Sequence, residues 1–589
     1  MDLKEIKETS IWTLYEKGRN YHRQVGIYVD TDRNYRFYNG NQWEGAKLGG
    51  VEPIQNNFIK PIIKYKVGVI HDNLFAIIYS SQNYERPSFR KEAERYCDML
   101  NGYASRVWER DKLDFKLRRV TKDAAVNDEG IIYVNFDKEN MYPINEIVKK
   151  NDVYYGNEND DDIQSQPYIL IRKRMPVANA IEYALNEGVP KSKTDLIIGD
   201  NDTFDESGEA AKIELDNMVT VIFKMFKQDG TVHFSASTRL LDIVKDVDLA
   251  ISLYPVAHFN WEEKEGCARG EGEARCLIPN QIEVNKIAMR RALSARNQAF
   301  PIRVIDKHRI SNPDALNTVG GIISTNGQPV EDVHKIVGVI PPAQMSPDVK
   351  LLHDDLIQAS RELSGAGDVA SGTVNPEDAS GRAILAVQRA SESPMTEQKE
   401  SLKNFIEDLA RIWLDYVIVH ANEGINLEDK ETNPVTGEEA IQLVNVPQST
   451  LKELRATVKI DITPKSPYDR FAQEQTLENL LTHGLFHPEK VGELRVYAEA
   501  LPDDSVAPKQ KILEIVEKTE KRMQQIAMIE AQAQMMQQRA NQFLMGDPEQ
   551  QGSRIADAAM QIKAERKQSA NDAETVAEEA KIDAEAKRK

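Results

Sequence analysis

Two helical segments enclose a short strand-rich segment in the second half of this 589-residue chain. The first, 278–300, is stopped by the proline that follows it, and at 1.5 Å per residue it would be roughly 30 Å long. After the strand-like residues 301–345 the chain returns through a second helix, which Ser346 can cap, with Pro347 at its first position and Gly365 past its end. This order of helix, strands and returning helix restricts the possible folds more than any other feature of the sequence.

The returning helix carries a regular apolar stripe. Its apolar residues recur at alternating spacings of three and four, at Val349, Leu352, Leu356, Ala359 and Leu363. Such a narrow stripe is typical of a helix that packs along another helix. We therefore expect this face to be covered by a helical partner.

A loop rich in Gly, Ser, Asp and Pro, at 365–381, separates the returning helix from a long helical segment that begins near Arg382. Pro394 should kink or break this segment. Beyond the kink, a broad apolar stripe predicts a face that is buried against the body of the protein. The stripe consists of Leu402, Phe405, Ile406, Leu409, Ile412, Trp413, Tyr416 and Val417.

The rest of the chain mixes helical and strand-like patterns, which predicts an α+β fold. The helical patterns lie at 87–125, 176–188 and 466–486, and the strand-like ones at 130–137, 254–261 and 441–464. Within 301–345 we expect strands at 301–310, 320–325 and 334–342. From Lys509 onward the pattern is helical, and beyond Gly546 it is polar on all faces, so that this tail needs partners or is partly disordered.

Two β-hairpins are predicted from turn residues. The first is the aromatic stretch YRFYNGNQW at 35–43, with Asn39-Gly40 as its turn. The second has strands at 219–226 and 231–234, joined at Gln228-Asp229-Gly230.

Charge and apolar content exclude several classes of protein. Acidic residues number 94 and basic residues 75, so the formal charge is −19, which disfavours a free-standing nucleic-acid binder. The apolar share of 41% is too high for a wholly disordered chain, and no run approaches the ~18 apolar residues that a membrane span needs. The N-terminal MDLKEIKETSIW has no apolar core, so we expect no secretory signal and predict a protein made in the cytoplasm.

Catalytic and cofactor-binding motifs give no positive signal. No P-loop, H-E-x-x-H, G-x-S-x-G or C-x-x-C motif occurs. The glycine-rich loop 266–272 precedes a helix, but Glu271 and Glu273 stand where a phosphate would need bare N–H groups. The three cysteines lack metal-site spacing, and His353 with the two aspartates after it occupies adjacent helix positions that do not share a face. We therefore predict no enzyme activity, no cofactor and no metal.

Basic residues are concentrated on the first long helix and in the segment after it, although the chain as a whole is acidic. Two interpretations stay open for them: contact with phosphate groups, or pairing with acidic neighbours on a solvated face. On the helix they are Lys286, Arg290, Arg291 and Arg296, and after it Arg303, Lys307, His308 and Arg309.

The order of these segments resembles that of the portal proteins of tailed bacteriophages. Several stretches are similar to theirs, and no single one is highly specific, but their order is. The resemblance covers about residues 30–500 and is greatest in GAGDVASGTVNPEDASGRAILAVQRAS at 365–391. The other stretches are YNGNQW (38–43), QNNFIKPIIKYKVGVI (55–70), YPVAHF (254–259), IPNQIEVNKIAMRRALSARNQAFPIRV (278–304) and ITPKSPYDRFAQEQTLENLL (462–481).

The resemblance implies a portal fold, with a mixed α/β wing, a two-helix stem, a small β-rich clip, a helical crown and a C-terminal helical tail. The segments would be the wing at 1–275 and 382–465, stem helix 1 at 276–300, the clip at 301–345, stem helix 2 at 346–364, the tunnel loop at 365–381, the crown at 466–545, and a barrel-forming or disordered tail at 546–589.

The resemblance also implies a function. Portal proteins form rings, usually dodecamers, at one vertex of the capsid in the virion, and double-stranded DNA passes through the ring during packaging and ejection. The expected partners are other copies of the chain, the major capsid protein, the large terminase during packaging, and head-completion, adaptor and tail proteins afterwards. Arg303, Lys307, His308 and Arg309 would be clip residues that dock these partners, and no membrane is involved.

DNA must slide through such a channel, so an acidic wall that repels phosphate is an advantage. Stem residues Lys286, Arg290, Arg291 and Arg296 would make weak, repeated contacts with DNA, and Arg382 and Arg389 would line the channel or form salt bridges. The tunnel-loop candidates are small or acidic, which favours steric contact over a grip: Asp368, Ser371, Thr373, Asn375 and Asp378.

Two other functions remain open at this point. One is another virion ring, such as a connector or an internal core protein, although these are usually shorter or wholly helical. The other is a soluble enzyme with a coiled-coil tail, which predicts a monomer or small oligomer with a turnover activity.

Overall fold

The computed structural model divides the chain into two compact units, Met1–Ser466 and Pro467–Lys589. Nearly all described residues belong to the first. The structure describes residues 3–44, 46, 52–81, 87–200, 217–299, 302–318, 320–327, 332–342, 344–365, 393–423, 425–432, 439–454, 456–464 and, in the second unit, 477, 515, 516, 519, 534 and 535.

Helices begin the first unit and also lie between its strands. They are α1 (Leu3–Glu8), α2 (Ile11–Val25), α3 (Ile27–Asn39), α4 (Ile59–Ile70), α5 (Pro87–Arg110), α6 (Leu113–Asn127), α7 (Val177–Asn186), α8 (Glu273–Ala299), α9 (Asp348–Leu363), α10 (Thr396–His420) and α11 (Gln448–Leu454).

The strands are short and pair in antiparallel fashion. They are β1 (Asn73–Ser81), β2 (Glu129–Asp137), β3 (Tyr142–Val148), β4 (Val153–Tyr155), β5 (Ile169–Pro176), β6 (Met218–Gln228), β7 (Thr231–Ser237), β8 (Asp242–Asp248), β9 (Val256–Asn260), β10 (Ile302–Ile305), β11 (Val337–Ile340), β12 (Asn426–Thr432), β13 (Glu439–Asn445) and β14 (Ala456–Pro464).

These strands form several small sheets among the described residues. A five-stranded sheet has the order β4-β5-β6-β7-β8, and a three-stranded sheet has the order β3-β2-β9. Three further pairs are β1-β14, β10-β11 and β12-β13. The mixture of helices and sheets agrees with the predicted α+β class.

The five-stranded sheet is buried on both faces. Ile169 and Ile171 of β5 point into the main hydrophobic core, while Leu170 between them joins a second cluster that includes Leu14 and Tyr15 of α2. Because alternate residues of a strand point to opposite faces, both faces need apolar residues. This explains why β5 begins with three consecutive apolar residues, 169–171, and why most of β6 is apolar instead of alternating.

Helix α10 covers the three-stranded sheet. Its predicted apolar stripe is buried as expected, and two of its aromatic side chains also form hydrogen bonds with the sheet. The Trp413 indole donates to Asn145 Oδ1 at 2.9 Å, and the Tyr416 hydroxyl donates to the carbonyl of Val134 at 3.2 Å. The buried stripe holds the helix on the sheet, and these hydrogen bonds fix its position there.

The pairing of β1 with β14 joins distant parts of the chain. The strands pair along their whole length, from Asn73 opposite Pro464 to Ser81 opposite Ala456. The residues after 393 therefore complete the core that the first 275 residues begin.

The prediction of a hairpin at 35–43 was wrong. Residues 35–39 form the last turn of α3, and Gly40 ends the helix with a φ of 97°. Asn-Gly favours a hairpin turn, but a glycine in the left-handed region is also a common helix end, so the dipeptide alone does not discriminate. The helical spacing of the buried residues Asn34, Phe37 and Tyr38 decides for the helix.

The second hairpin is confirmed. Strands β6 and β7 pair from Ile222 opposite Ser237 to Gln228 opposite Thr231. Asp229 and Gly230 both have positive φ values, 51° and 89°, which is the conformation of a two-residue type I′ turn.

The helix–strands–helix order is confirmed, with shifted boundaries. Helix α8 begins at Glu273, before the predicted start, and encloses Pro279. Between α8 and α9, the described residues form strands at 302–305 and 337–340 and an isolated bridge from Ile310 to Thr325. The predicted strand at 320–325 was therefore wrong apart from that bridge, and Ile322 within it is 82% exposed.

Other sequence predictions are confirmed in outline. The helical pattern at 87–125 forms two helices that break at Lys112, where φ is 50°. The stretch 441–464 contains strands as expected, with the short helix α11 between them. None of the described helices combines the length and apolar character that a bilayer crossing requires.

Gly130 lets β2 approach α6 more closely than any side chain would permit. A Cβ at this position would lie 2.4 Å from Val120 Cγ1 and 2.7 Å from the Val120 carbonyl oxygen. We expect Gly130→Ala to lower the free energy of unfolding by about 1–3 kcal/mol, because backbone atoms must move. Urea unfolding followed by the fluorescence of the buried Trp261 and Trp413 measures this change.

The matched control is Gly68→Ala in α4. Nothing lies within 4 Å of a Cβ built at Gly68, so alanine should raise stability by about 0.5–1 kcal/mol through its higher helix propensity. If both variants change the free energy of unfolding in the same direction, the close approach of β2 to α6 does not require a glycine at position 130.

Candidate functional site

Helices α8 and α9 lie side by side and are joined by polar as well as apolar contacts. Asn280 Nδ2 donates to Ser360 Oγ at 3.0 Å, and the Ser360 hydroxyl donates to the carbonyl of Leu356 at 2.6 Å. The α9 face that is turned inward carries the buried His353 and Ser360, with Leu356 and Ile357 partly buried against the core.

The predicted stripe of α9 is divided between two environments. Leu356 is partly buried against the core, and Val349 and Ala359 are also partly buried, but Leu352 is 53% and Leu363 83% exposed. Helix α8 therefore leaves these two leucines of the stripe uncovered.

An extended segment, 55–58, is bound to α8 by two amide side chains. Gln281 accepts from the N–H of Phe58 at 3.0 Å and donates to the carbonyl of Asn56 at 2.8 Å. Asn285 accepts from the N–H of Asn56 at 3.1 Å and donates to Gln42 Oε1 at 2.6 Å. The segment thereby satisfies its backbone groups on the helix just before α4 begins.

His353 links this segment to α9. Its Nε2 lies 3.4 Å from Asn56 Nδ2, and its Nδ1 lies 2.9 Å from Asp354 Oδ1. The hydrogen bond from His353 lowers the pKa of Asp354, with smaller contributions from the positive charges of Lys350 and Arg291. The histidine therefore has a structural role between α9 and the 55–58 segment.

A buried ionic cluster fixes the loop that leads into α8. We call it the Arg269 network, and its members are His22, Glu129, Glu158, His258 and Arg269. Arg269 donates to both carboxylate oxygens of Glu158, at 2.8 and 3.0 Å, and also to Glu129. His258 Nε2 lies 2.7 Å from Glu129 Oε2, and His22 Nε2 lies 3.0 Å from Arg269 Nη2.

The network shifts the pKa values of its members strongly. Burial alone would raise the pKa of Glu129, but Arg269 and the hydrogen bond from His258 lower it to about 2. Burial, aided by the positive charge of Arg269, lowers the pKa of His22 to about 4. The stable state therefore contains an ionised Glu129 and a neutral His22 whose Nε2 accepts from the guanidinium.

The first turn of α8 is held by two further buried carboxylates. Glu273 Oε2 accepts from Lys66 Nζ at 2.6 Å and from the Trp261 indole at 3.3 Å. Asp128 pairs with Lys150 and accepts from the N–H of Gly272 at 2.8 Å. These bonds explain why α8 begins before its predicted start.

The predicted basic residues of α8 divide into two groups. Arg291 is half-buried and contributes to the lowered pKa of Asp354 on α9. Lys286, Arg290 and Arg296 are exposed, and at ~100° per residue they span about a third of the helix circumference. Lys286 pairs with Glu283 at 2.6 Å, so its charge is partly neutralised.

The predicted basic residues after α8 are all exposed and lie close together in sequence around β10. Arg303 donates to the carbonyl of Leu316, and Arg309 lies 3.8 Å from Asp306. Asp306 also accepts from the backbone N–H of His308 at 3.0 Å. Lys307 is exposed at the same turn, so the segment between α8 and α9 presents a small basic surface.

Exposed apolar side chains accompany these basic residues. In the β10–β11 pair, Ile302 lies opposite Ile340, and both are exposed, as are Val304 and Val339. Only Ile310 and Ile336 are buried among the described residues between α8 and α9. A two-stranded sheet with so small a core is marginal on its own.

The remaining predicted site residues, Asp368, Ser371, Thr373, Asn375, Asp378, Arg382 and Arg389, lie outside the described residues. In the described ranges, no group of three or more His, Cys, Asp or Glu side chains is arranged to hold a metal ion.

The sequence-based reasoning missed the Arg269 network and the amide contacts of Gln281 and Asn285. The available signal was the loop ARGEGEA, in which Gly270 and Gly272 flank Glu271. A Cβ at Gly270 would lie 2.4 Å from the Glu262 carbonyl, and one at Gly272 would lie 2.8 Å from the Asp128 nitrogen. The glycines therefore serve close packing of the loop and not a phosphate.

Comparison with known proteins gives one result. A sequence model of the family described as "Phage P22-like portal protein" matches residues 19–575 of the chain. The comparison with curated proteins finds no match.

Because His22 is buried and neutral, we expect the folded protein to lose stability in mild acid. The folded pKa of His22, about 4, is below the ordinary value of 6.5, so the unfolded chain binds the proton more readily. The contribution of His22 to the free energy of unfolding is complete above the unfolded pKa and falls as the pH drops from about 6.5 toward 4. Between about pH 7.5 and pH 5 the free energy of unfolding should therefore decrease by about 2 kcal/mol. Urea unfolding at the two pH values measures the difference.

His22→Gln is the diagnostic variant because its amide oxygen can still accept from Arg269 but does not titrate. It should lose most of this pH dependence, while the exposed His334→Gln keeps it. An unchanged pH dependence in His22→Gln would show that another group is responsible.

We also expect the stability of the protein to depend on Gln281. Gln281→Leu leaves the N–H of Phe58 and the carbonyl of Asn56 without these partners, so the free energy of unfolding should fall by about 2–4 kcal/mol. Asn280→Ala on the same helix removes one bond, to a hydroxyl that keeps another partner, and should cost about 1 kcal/mol or less. Equal losses in the two variants would contradict a special role for Gln281.

Proposed function

The chain belongs to the family of P22-like phage portal proteins, and from this membership we propose that its copies form a dodecameric ring that conducts double-stranded DNA into and out of the capsid. It is a structural protein of a bacteriophage virion, located at the capsid vertex where head and tail connect. The family match over nearly the whole chain is the observation that carries the proposal. It supports a portal over a different virion ring and over an enzyme with a coiled-coil tail.

We assign the segments as the family order suggests. The wing is formed by 1–275 and 382–465, the stem by 276–300 and 346–364, the clip by 301–345, the tunnel loop by 365–381, the crown by 466–545, and the tail, as a barrel or disordered, by 546–589. The β1–β14 pairing and the contacts of α10 support the assignment of the two wing segments to one body, because they share its core.

The exposed apolar residues of α9 support ring assembly. Leu352 and Leu363 lie on the stripe that predicts a helical partner, and each is more than half exposed in the single subunit. In a ring, the stem of the neighbouring copy would cover this stripe and remove it from water. Stem–stem packing would thereby supply the partner that the described residues of one chain do not provide for these two leucines.

The clip supports the same arrangement. Its short β10–β11 sheet exposes Ile302, Val304 and Ile340 on one face. Contacts with neighbouring clips would give this face the burial that a single subunit does not provide. The basic residues Arg303, Lys307, His308 and Arg309 would remain at the outer end, where the terminase docks first and head-completion proteins later.

The charge distribution supports sliding of DNA rather than tight binding. The chain carries a formal charge of −19, so phosphate groups are repelled from most of its surface. Lys286, Arg290 and Arg296 are the exposed stem cations that would make brief contacts with phosphate, and Arg291 would contribute less because it faces Asp354. Weak contacts that are spread around a ring would let the DNA move through the channel.

The tunnel loop would contribute by its shape. Its residues Asp368, Ser371, Thr373, Asn375 and Asp378 are small or acidic, so we propose steric contact with DNA and no grip there. Arg382 and Arg389 would follow at the start of the wing helix, lining the channel or pairing between subunits. The wing itself would contact the major capsid protein, and assembly would take place in the host cytoplasm.

Electron microscopy and native mass measurement of the purified protein test the proposal. We expect closed rings of twelve copies with a central opening. A single dimeric species at all protein and salt concentrations would overturn the ring.

The stripe on α9 gives a sharper test. Leu352→Asp and Leu363→Asp should fold normally, because both leucines are exposed in the subunit, but should form at least tenfold fewer rings, because each interface would bury a charge. Gln358→Asp is the matched control, since it places the same charge on an exposed position of α9 away from the stripe.

Native mass spectrometry reports the fraction of chain in rings, and circular dichroism confirms folding. Wild-type ring yield in both leucine variants would exclude the stripe as the stem–stem contact while leaving the ring itself possible.

A further inference from the structure

A cavity of about 340 Å³ opens between α5, the turn that joins β2 to β3, and the beginning of β12. Its residues combine apolar walls with a cationic rim, and none of the described residues that line it is acidic. They are Tyr103, Arg106, Val107, Arg110, Asn140, Met141, Tyr142, Ile425 and Asn426.

Arg110 is the cation that the cavity leaves available. Its guanidinium carbon lies 3.6 Å from the centroid of the Tyr142 ring, so stacking fixes the plane of the group. Its positive charge helps to lower the pKa of Asp137 in the nearby turn, after the larger effect of the hydrogen bonds from Asn140, but among the described residues no carboxylate lies within ion-pair distance of the guanidinium. Arg106, one turn earlier on α5, is paired with Glu428 of β12.

The wall of the cavity is held rigidly. Met141 has a φ of 55°, a strained conformation for this residue, and its carbonyl accepts from the Tyr103 hydroxyl at 3.0 Å. In the same turn, Asp137 accepts from the side chain and backbone of Asn140, at 2.8 and 3.1 Å. The cavity is therefore formed before any ligand arrives, which lowers the entropic cost of binding.

We propose that this cavity binds an acidic peptide segment of a partner protein, with a carboxylate on Arg110 and a neighbouring apolar side chain against Val107 and Met141. A planar, stacked guanidinium is suited to a carboxylate, and the apolar wall is suited to the residue beside it. The proposal does not rest on the ring, because every lining residue belongs to one chain.

Nucleic acid fits the cavity less well. Arg110 already covers one face of the Tyr142 ring and Tyr103 is buried, so the cavity offers poor stacking surface for a base. Duplex DNA presents a regular row of phosphates, and a concave site with one available cation and an apolar wall matches such a row poorly.

A binding assay with the full-length protein tests this inference. The probe is a fluorescein-labelled pentapeptide with Glu-Phe-Glu at its centre, followed by fluorescence anisotropy at low salt. The same peptide with Gln-Phe-Gln is the control ligand. We expect saturable binding of the acidic peptide and at least tenfold weaker binding of the neutral one, because the bond to Arg110 requires a carboxylate.

Variants at the cavity and beside it make the test specific. Arg110→Ala should weaken binding at least tenfold, and Arg110→Lys should give a smaller loss, because it keeps the charge but not the stacked plane. Arg118→Ala removes an exposed arginine of α6 that does not line the cavity and should leave binding unchanged.

Three outcomes would overturn the proposal: no saturable binding of the acidic peptide, equal affinity for the two peptides, or equal affinity of wild type and Arg110→Ala. Displacement of the peptide by a short DNA duplex, with the same dependence on Arg110, would assign the site to nucleic acid instead.

Discussion

The position of helix α8 depends on one buried guanidinium, that of Arg269. Arg269 connects α2, through His22, with the beginning of β2, through Glu129, and with the loop at Glu158. Removing one member of such a cluster is expected to cost about 3–5 kcal/mol, because its partners keep their charges in a place without water. The network therefore gives a single geometry to the loop from which α8 departs.

Helix α8 is joined to the body by directional polar contacts as well as by apolar residues such as Leu277 and Val284, which are buried in the core. Gln281 and Asn285 bind the backbone of the 55–58 segment, and His353 extends the contact to α9. Directional hydrogen bonds define the register between helix and segment, which interchangeable apolar contacts would not do. Leu352 and Leu363 of the α9 stripe remain exposed, where the proposed ring would use them.

The resemblance to portal proteins could be derived from the sequence because it rests on the order of segments. Proline, glycine and capping residues mark the ends of helices near 300, 346 and 365, and the eight-residue stripe of α10 marks its buried face. The hairpin at 35–43 could not be predicted correctly, since Asn39-Gly40 fits both a turn and a helix end. The Arg269 network was equally hidden, because its members come from parts of the chain up to 247 residues apart.

The sequence by itself determined the α+β class, the helix–strands–helix order, the family and the acidic charge, because each follows from local patterns or composition. The tertiary structure decided which charged residues are buried and paired, which face of α9 packs on α8, and which stem cations remain exposed. These outcomes depend on distances between residues far apart in sequence. Arg269 and Arg290 are both basic residues near the same helix, and only the folded chain makes one a structural centre and leaves the other in solvent.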